Sequence, residues 1–192
     1  MRLMPEPPEN PRPERLFIGV PVMPDARNAI ARKLPKNLPG KPVAPDKWHF
    51  TLRFLGPTPR EARDKIIDRL SGAKLGLRFQ VRFGELGAFP TARRARILWL
   101  GVTRGGDRLS ELATIAEDAA RATGFAPVGR GFTPHLTLSR LDPQQSVVDL
   151  LARNHSYDVD TAVTALILYR SQLGGGPARY EDVARFPLEA AR

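Results

Sequence analysis

The sequence predicts an α+β fold of two pseudo-symmetric lobes, with mainly antiparallel sheets flanked by helices and an active-site cleft between the lobes. Two observations carry this prediction. Nearly the same phrase occurs twice, as WHFTLRFLG at positions 48–56 and as PHLTLSRL at positions 134–141. The order of strand, helix, phrase-bearing strand and capped helix also occurs twice, beginning at Leu16 and at Ile97. This repetition indicates an ancient duplication and a pseudo-twofold axis that makes the two phrases face each other.

Each phrase is a His-x-Thr motif inside an apolar run. Successive side chains of a strand point to opposite faces, so one face of each strand can be core and the other chemical. The residues that strict alternation places on the polar faces are His49, Thr51 and Arg53 in the first strand, and His135, Thr137 and Ser139 in the second. Arg140 falls on the opposite face, so it can join the others only if its strand ends or twists there.

The first half of the chain contains four predicted elements before its basic strand. The apolar run Leu16–Val22 predicts a central strand. Pro24 begins a helix with Ile30 on its apolar side, and the prolines of 35–45 leave only irregular or extended chain before the first motif strand. Thr58-Pro59-Arg60-Glu61 is a capping box, which predicts a helix that ends near Ser71.

The second half repeats that order after a pair of strands. Alternation predicts a strand over 75–86 with a basic face, and a continuously apolar run predicts its partner over 96–102. Gly105 opens an amphipathic helix that ends near Gly124 and leads to the second motif strand. Asp142-Pro143 then predicts another capped helix. The two last strands lie near 162–170 and 179–186 and flank the glycines at 174–176.

Composition excludes several classes of protein. Among the 192 residues there is no cysteine, hence no disulfide framework or thiolate zinc site, and no apolar run approaches the ~20 residues of a membrane span. Residues 1–14 hold five prolines and no apolar stretch, so we expect a disordered tail before a domain at 15–192. The expected location is the cytoplasm, and the expected state is a monomer without membrane contact.

The charge balance favours a polyanionic partner. Thirty Lys and Arg residues against twenty Asp and Glu residues give a net charge of +10 and an isoelectric point near 10.8. Such an excess favours nucleic acid, because binding releases counterions from phosphates. Arg93, Arg94 and Arg96 form a basic turn that either contacts an RNA backbone or is a solvated hairpin tip. A solubilising bias toward arginine is the alternative interpretation of the whole charge.

The paired motifs can support acid–base chemistry on a phosphodiester. Imidazole is the side chain whose ordinary pKa lets it donate and accept a proton near neutral pH, so two histidines can divide the two tasks. Threonine hydroxyls and arginine guanidinium groups are suitable donors to phosphoryl oxygens. The chain has no P-loop, no dinucleotide-binding glycine motif and no His-Glu-x-x-His sequence, and no carboxylate beside either motif completes a metal site.

The tandem His-x-Thr pattern resembles the 2H phosphoesterase superfamily, and within it the RNA 2′,3′-cyclic phosphodiesterases, also called 2′-5′ RNA ligases. The resemblance covers roughly residues 15–187 and rests on the strand at 15–20, on both motifs with Arg53 and Arg140, and on the stretch Leu168–Leu173 before Tyr180. It implies the same bilobal fold. It also implies metal-independent hydrolysis of RNA 2′,3′-cyclic phosphate ends to 2′-phosphomonoesters, with reverse 2′-5′ ligation and no cofactor.

The resemblance assigns roles to particular residues. It implies that His49 is the proton donor toward the 3′ oxygen and that His135 is the proton acceptor toward water, although nothing in the residues breaks the symmetry. Thr51, Thr137, Arg140 and Arg53 are the expected phosphate-binding residues. Phe17 and Tyr169 are candidates for base stacking, with core packing as the alternative for both. The expected partners are RNA ends, with tRNA fragments as one source, and small cyclic nucleotides.

Two other functions compete with this one. The first is a different 2H activity, such as action on another kind of RNA end or the opening of ADP-ribose cyclic phosphate. The second is a non-catalytic protein that binds RNA ends through its basic cleft. Two intact His-x-Thr motifs disfavour pure binding, because Lys and Arg alone can provide phosphate affinity.

Overall fold

The computed structural model describes residues 13–129, 131–172 and 178–190. Its strands are β1 (Glu14–Pro21), β2 (Lys41–Pro42), β3 (His49–Thr58), β4 (Phe79–Phe89), β5 (Ala95–Arg104), β6 (His135–Gln145), β7 (Val159–Val163), β8 (Ala165–Gln172) and β9 (Arg179–Pro187). Its helices are α1 (Pro24–Lys33), α2 (Arg60–Ser71), α3 (Gly106–Arg121) and α4 (Val148–Ala152). None of the helices in these ranges is both long and apolar enough to cross a membrane.

The strands form two antiparallel sheets, in which the two motif strands β3 and β6 have equivalent neighbours. One sheet has the order β3-β1-β8-β9, and the other has the order β2-β6-β5-β4-β7. In each sheet the motif strand pairs with the strand that precedes it by one helix, β3 with β1 across α1 and β6 with β5 across α3. The predicted α+β fold of two related, mainly antiparallel lobes is confirmed.

Several predicted elements need correction. The helix after the first motif exists, but Thr58 lies inside β3, its hydroxyl donates to the Gly56 carbonyl, and no side chain caps α2. The prediction that Asp142-Pro143 opens a helix is wrong, because these residues extend β6 and the helix begins only at Val148. By contrast, the short strand β2, which pairs with β6, agrees with the irregular or extended chain predicted for 35–45.

The first of the two final predicted strands is in fact two strands in different sheets. Residues near 162–170 were predicted as one strand, whereas β7 pairs with β4 and β8 pairs with β1. The chain therefore crosses from one lobe to the other at Thr164. The expected disordered tail lies outside the described residues except for positions 13 and 14, and β1 already begins at Glu14. The glycines at 174–176 also lie outside them.

One hydrophobic core contains residues of both sheets. Phe50 of β3 and Phe83 of β4 are fully buried, and their rings stack with centroids 5.5 Å apart. The same core includes Leu136 and Leu138 of the second motif strand. Burial of such side chains contributes about 1.5–3 kcal/mol each. The two lobes are therefore held together by the apolar faces of the motif strands themselves.

Replacing Phe50 by Ala should lower the free energy of unfolding by about 3–5 kcal/mol, because it removes a fully buried ring and leaves a cavity. Phe54→Ala on the same strand is the matched control. Phe54 is 45% exposed, so its loss should cost less than about 1 kcal/mol. Denaturant unfolding of both variants measures the difference, and equal losses would mean that Phe50 does not tie the sheets together.

Candidate active site

The two motif strands meet although they belong to different sheets. β3 and β6 are in contact, and the charges of His135 and Arg140 in one lobe act directly on His49 in the other. His49, Thr51, His135 and Thr137 are all partly exposed, whereas the residues between them in sequence are buried. The alternation predicted from the sequence therefore brings both His-x-Thr pairs to one cleft.

Equivalent backbone hydrogen bonds fix both imidazoles. Nδ1 of His49 lies 2.8 Å from the Lys47 carbonyl oxygen, and Nδ1 of His135 lies 2.7 Å from that of Thr133. A carbonyl oxygen only accepts hydrogen bonds, so Nδ1 carries the proton in each ring and Nε2 is left for chemistry. In His49 this Nε2 lies 2.9 Å from the Thr51 hydroxyl, which donates to it when the ring is neutral.

His49 sits in an environment that opposes its positive charge. Its pKa is lowered from 6.5 to about 4, chiefly because burial penalises the imidazolium. The hydrogen bond to Lys47 raises the pKa in part, and the charges of Arg140 and His135 lower it further. His49 is therefore neutral at neutral pH in the free protein, and a proton donor at this position requires a negative charge nearby.

A bulge in β6 brings Arg140 to the motif face. Trp99 pairs with Thr137, but Leu98 pairs with Ser139, so Leu138 is an extra residue in β6. Beyond this bulge the alternation is reversed: Ser139 is buried, and Arg140 is exposed on the side that faces His49. The prediction from strict alternation that Arg140 lies on the face opposite to the histidines is wrong, because the bulge interrupts the alternation.

The corresponding bulge in β3 takes Arg53 away from that face. Gly19 pairs with Thr51 and Ile18 pairs with Arg53, so Leu52 is the extra residue. Arg53 turns to the helix side, where its Nε lies 2.6 Å from Oε2 of Glu117 on α3 and its side chain is only 10% exposed. The guanidinium also donates to the backbone carbonyls of Phe54 and Ala126. The prediction that Arg53 shares the motif face is wrong.

Aromatic side chains pack against the His49 ring. The Phe17 ring centroid lies 4.7 Å from that of His49 and 4.9 Å from that of Tyr169, and Tyr180 closes the group edge-on. Phe17 is 3% exposed and Tyr169 is 8% exposed, so neither offers a free ring face. Their assignment to base stacking stays a prediction, and the contacts favour the packing alternative.

A second aromatic pair lies beside His135 and was missed in the sequence. The Phe89 centroid lies 5.1 Å from that of His135 with the rings nearly perpendicular, and Trp99 lies 5.1 Å from Phe89. Both side chains are partly exposed. Their strands are apolar runs that predict core residues, and only the glycine at position 87, opposite Trp99, marks a place where a large ring crosses the backbone.

Two further features of the described part of the chain concern the candidate site, the arrangement of its metal-ligating types of side chain and the basic turn that the sequence predicts. No group of three or more His, Cys, Asp or Glu side chains there is arranged to hold a metal ion. Arg93, Arg94 and Arg96 are exposed on a 3₁₀ turn and the start of β5. The candidate site is therefore the pair of His-x-Thr motifs with Arg140.

A family model described as LigT like phosphoesterase matches this chain twice, over residues 18–99 and 100–178. The first match contains His49 and the second contains His135, in agreement with the duplication that the sheet orders indicate. Together the two matches cover most of the described chain.

Curated relatives and solved structures agree with the family model. The chain is 31% identical to the RNA 2′,3′-cyclic phosphodiesterase of Escherichia coli K12, over 92% of this chain and 97% of that protein. It is 32% identical to the protein of the same name from Aquifex aeolicus, over 84% and 90%. The crystal structure of E. coli LigT complexed with 3′-AMP is 27% identical, with a TM-score of 0.77 and coverage of 92% and 98%.

Acidification should destabilise the folded protein through His49. The unfolded chain binds a proton at His49 below pH 6.5, whereas the folded protein binds it only near pH 4. Above pH 6.5 His49 is neutral in both states and does not lower the free energy of unfolding. As the pH drops to 4, the free energy of unfolding falls by about 3 kcal/mol because of this group. Denaturant unfolding across this range should show a shallower fall for His49→Gln than for the wild type. Parallel curves would contradict the lowered pKa.

Proposed function

Because this chain belongs to the LigT-like phosphoesterase family, we propose that it hydrolyses the 2′,3′-cyclic phosphate ends of RNA to 2′-phosphomonoesters. The observation that carries this proposal is that Nδ1 hydrogen bonds to backbone carbonyls fix both imidazoles in the same way, with Nε2 of His49 2.9 Å from the Thr51 hydroxyl. Relatives that match almost the whole chain are named RNA 2′,3′-cyclic phosphodiesterases. The net charge of +10 suits an RNA substrate.

The proposed reaction divides proton transfer between the two lobes. His135 accepts a proton from water as its oxygen attacks phosphorus, and His49 donates a proton to the departing 3′ oxygen. Thr51 and Thr137 donate hydrogen bonds to the phosphoryl oxygens, and Arg140 balances their negative charge. Both motifs come from one chain, which supports a monomeric enzyme. The two imidazoles complete the proton transfers without a metal ion.

The low pKa of His49 bears directly on this division of labour. In neutral His49, Nε2 accepts a hydrogen bond from the Thr51 hydroxyl and carries no proton to donate to a leaving group. A bound phosphodiester anion supplies the missing negative charge, and an opposite charge within about 4–6 Å raises the pKa of an imidazole. His49 therefore becomes a competent acid only in the complex, while the Thr51 hydroxyl is released to donate to the phosphate.

Reversal of the same step gives the second proposed activity. If a 5′-hydroxyl replaces water, the transition state is shared and the product is a 2′-5′ phosphodiester, formed without ATP. RNA ends that include tRNA fragments, together with small cyclic nucleotides, are the proposed substrates. The cytoplasmic location expected from the sequence stays a prediction.

Replacing either histidine by Ala should lower the rate of opening of a 2′,3′-cyclic nucleotide by roughly 10² to 10⁴, the usual contribution of positioned proton transfer. A substrate with sulfur at the 3′ position separates the roles, because a thiolate leaves without protonation. His49→Ala should recover on this substrate while His135→Ala stays slow. Recovery of His135→Ala alone would exchange the roles, and recovery of neither would reject proton transfer.

Replacement of Arg140 should lower activity, whereas replacement of Arg53 should lower stability. Arg140→Met should lower kcat/KM for a cyclic nucleotide by about 10-fold or more and leave stability nearly unchanged, since the exposed guanidinium is proposed to contact only phosphate. Arg53→Met should instead cost about 1–3 kcal/mol of stability, because Glu117 loses its partner. Kinetics and denaturant unfolding of both variants test this contrast. A loss of kcat/KM in folded Arg53→Met as large as that of Arg140→Met would overturn it.

A further inference from the structure

We propose that Trp99, with Phe89, is a stacking platform for a second nucleobase of an oligonucleotide substrate. This base belongs to the nucleotide on the 5′ side of the one that carries the cyclic phosphate. This inference rests on the proposed function and extends it from mononucleotides to RNA. The platform lies on the motif-side face of β5, where Trp99 is paired directly with Thr137 and Gly101 is paired with His135. It is thus one residue pair from the proposed phosphate site.

Gly87 and Gly101 leave room for the Trp99 indole to pack directly against the backbone. A Cβ atom on Gly87 would lie 2.2 Å from the six-membered ring of Trp99, and a Cβ atom on Gly101 would lie 3.0 Å from it. Any other residue at position 87 would displace the ring. One side of the indole therefore rests on backbone, and because the side chain is partly exposed, the ring remains accessible from the cleft.

The hydrogen bonds of the two tryptophans differ in a way that favours a binding role for Trp99. The indole N–H of Trp48 donates to the Val43 carbonyl at 2.9 Å, as expected of a structural tryptophan. The indole nitrogen of Trp99 is buried, and no hydrogen-bond partner lies within reach among the described residues. A buried donor without a partner is unfavourable, so a phenylalanine or leucine would suit a purely structural role better.

The aromatic group beside His49 in the other lobe is arranged differently. The residue paired with Thr51 is Gly19, and the rings around His49 cover one another, with Phe17 and Tyr169 almost fully buried. Trp99 and Phe89, the aromatic pair on the His135 side, are both partly exposed. The pseudo-symmetry therefore breaks at the position opposite the motif threonine, where the first lobe has a glycine and the second has a tryptophan.

Charge along the same strand indicates what would lie on the platform. β5 leads from Trp99 back to Arg96, and the turn before it holds Arg93 and Arg94, all three exposed. An RNA chain that runs from the proposed phosphate site across Trp99 would reach these guanidinium groups with its backbone. Aromatic rings combined with a basic track are the usual arrangement for binding single-stranded nucleic acid. A second base, rather than a peptide or a lipid, fits this combination.

The first test compares kcat/KM for a 2′,3′-cyclic mononucleotide and for a dinucleotide that ends in the same cyclic phosphate. Trp99→Leu should lose roughly 5- to 100-fold on the dinucleotide, the usual contribution of one base stacked on an aromatic ring, and less than about 2-fold on the mononucleotide. Trp99→Phe should recover most of the loss, because it keeps a ring. Equal losses on both substrates would overturn the proposal and make Trp99 part of the His135 pocket.

An abasic dinucleotide, which keeps both phosphates but lacks the first base, provides the matched control. The wild type should lose as much on this substrate as Trp99→Leu loses on the complete dinucleotide, and the variant should lose nothing more. Additive losses would mean that the base and the indole do not interact, which contradicts the platform.

Fluorescence separates this inference from the proposed function. A dinucleotide that ends in an unreactive 2′-phosphate should quench the tryptophan emission of the wild type, and Trp99→Phe, which retains only the buried Trp48, should show no quenching. If the wild type opens no cyclic phosphate but is still quenched, the function is wrong and the platform stands. If it is active but Trp99→Phe is quenched equally, the platform is wrong.

Discussion

The burial of the apolar face of each motif strand is the constraint on which the rest of the site depends. Phe50 and Leu136, which lie between the histidine and the threonine of each motif, are enclosed in a core that both sheets share, so the flanking histidines and threonines lie on the opposite faces of their strands. Burial of the apolar residues is strongly favourable, and a strand turns alternate residues to opposite sides. The same packing that holds the lobes together therefore presents His49, Thr51, His135 and Thr137 to one another.

The bulges after the two motifs turn the arginines of two nearly identical sequences in different directions. In β6 the extra residue turns Arg140 into the cleft, and in β3 it turns Arg53 onto Glu117 of α3. The residue equivalent to Arg140 in the first lobe is Phe54, over which the Arg15 guanidinium lies at 4.7 Å. A duplicated scaffold thus carries an asymmetric site, with a cation in the second lobe and a desolvated, neutral His49 in the first.

The sequence predicts the features that follow from local periodicity, and it fails where pairing between strands decides. The motif faces, the helix near Ile30 and the amphipathic helix after Gly105 all follow from periods of 2.0 or 3.6 residues. The positions of Arg53 and Arg140 do not, because a bulge depends on how the partner strand is paired and leaves no mark in the alternation itself. Capping residues misled in the same way, since Thr58 and Asp142 are held in strands by their neighbours.

In the proposed reaction, water attacks phosphorus from one lobe while the 3′ oxygen leaves toward the other. The most direct measurement is ³¹P NMR of the products formed from a 2′,3′-cyclic nucleotide by the purified protein. We expect a 2′-phosphomonoester as the sole product, with no signal from the 3′ isomer. A 3′-phosphomonoester, a mixture of the two isomers or an unchanged cyclic phosphate would contradict it.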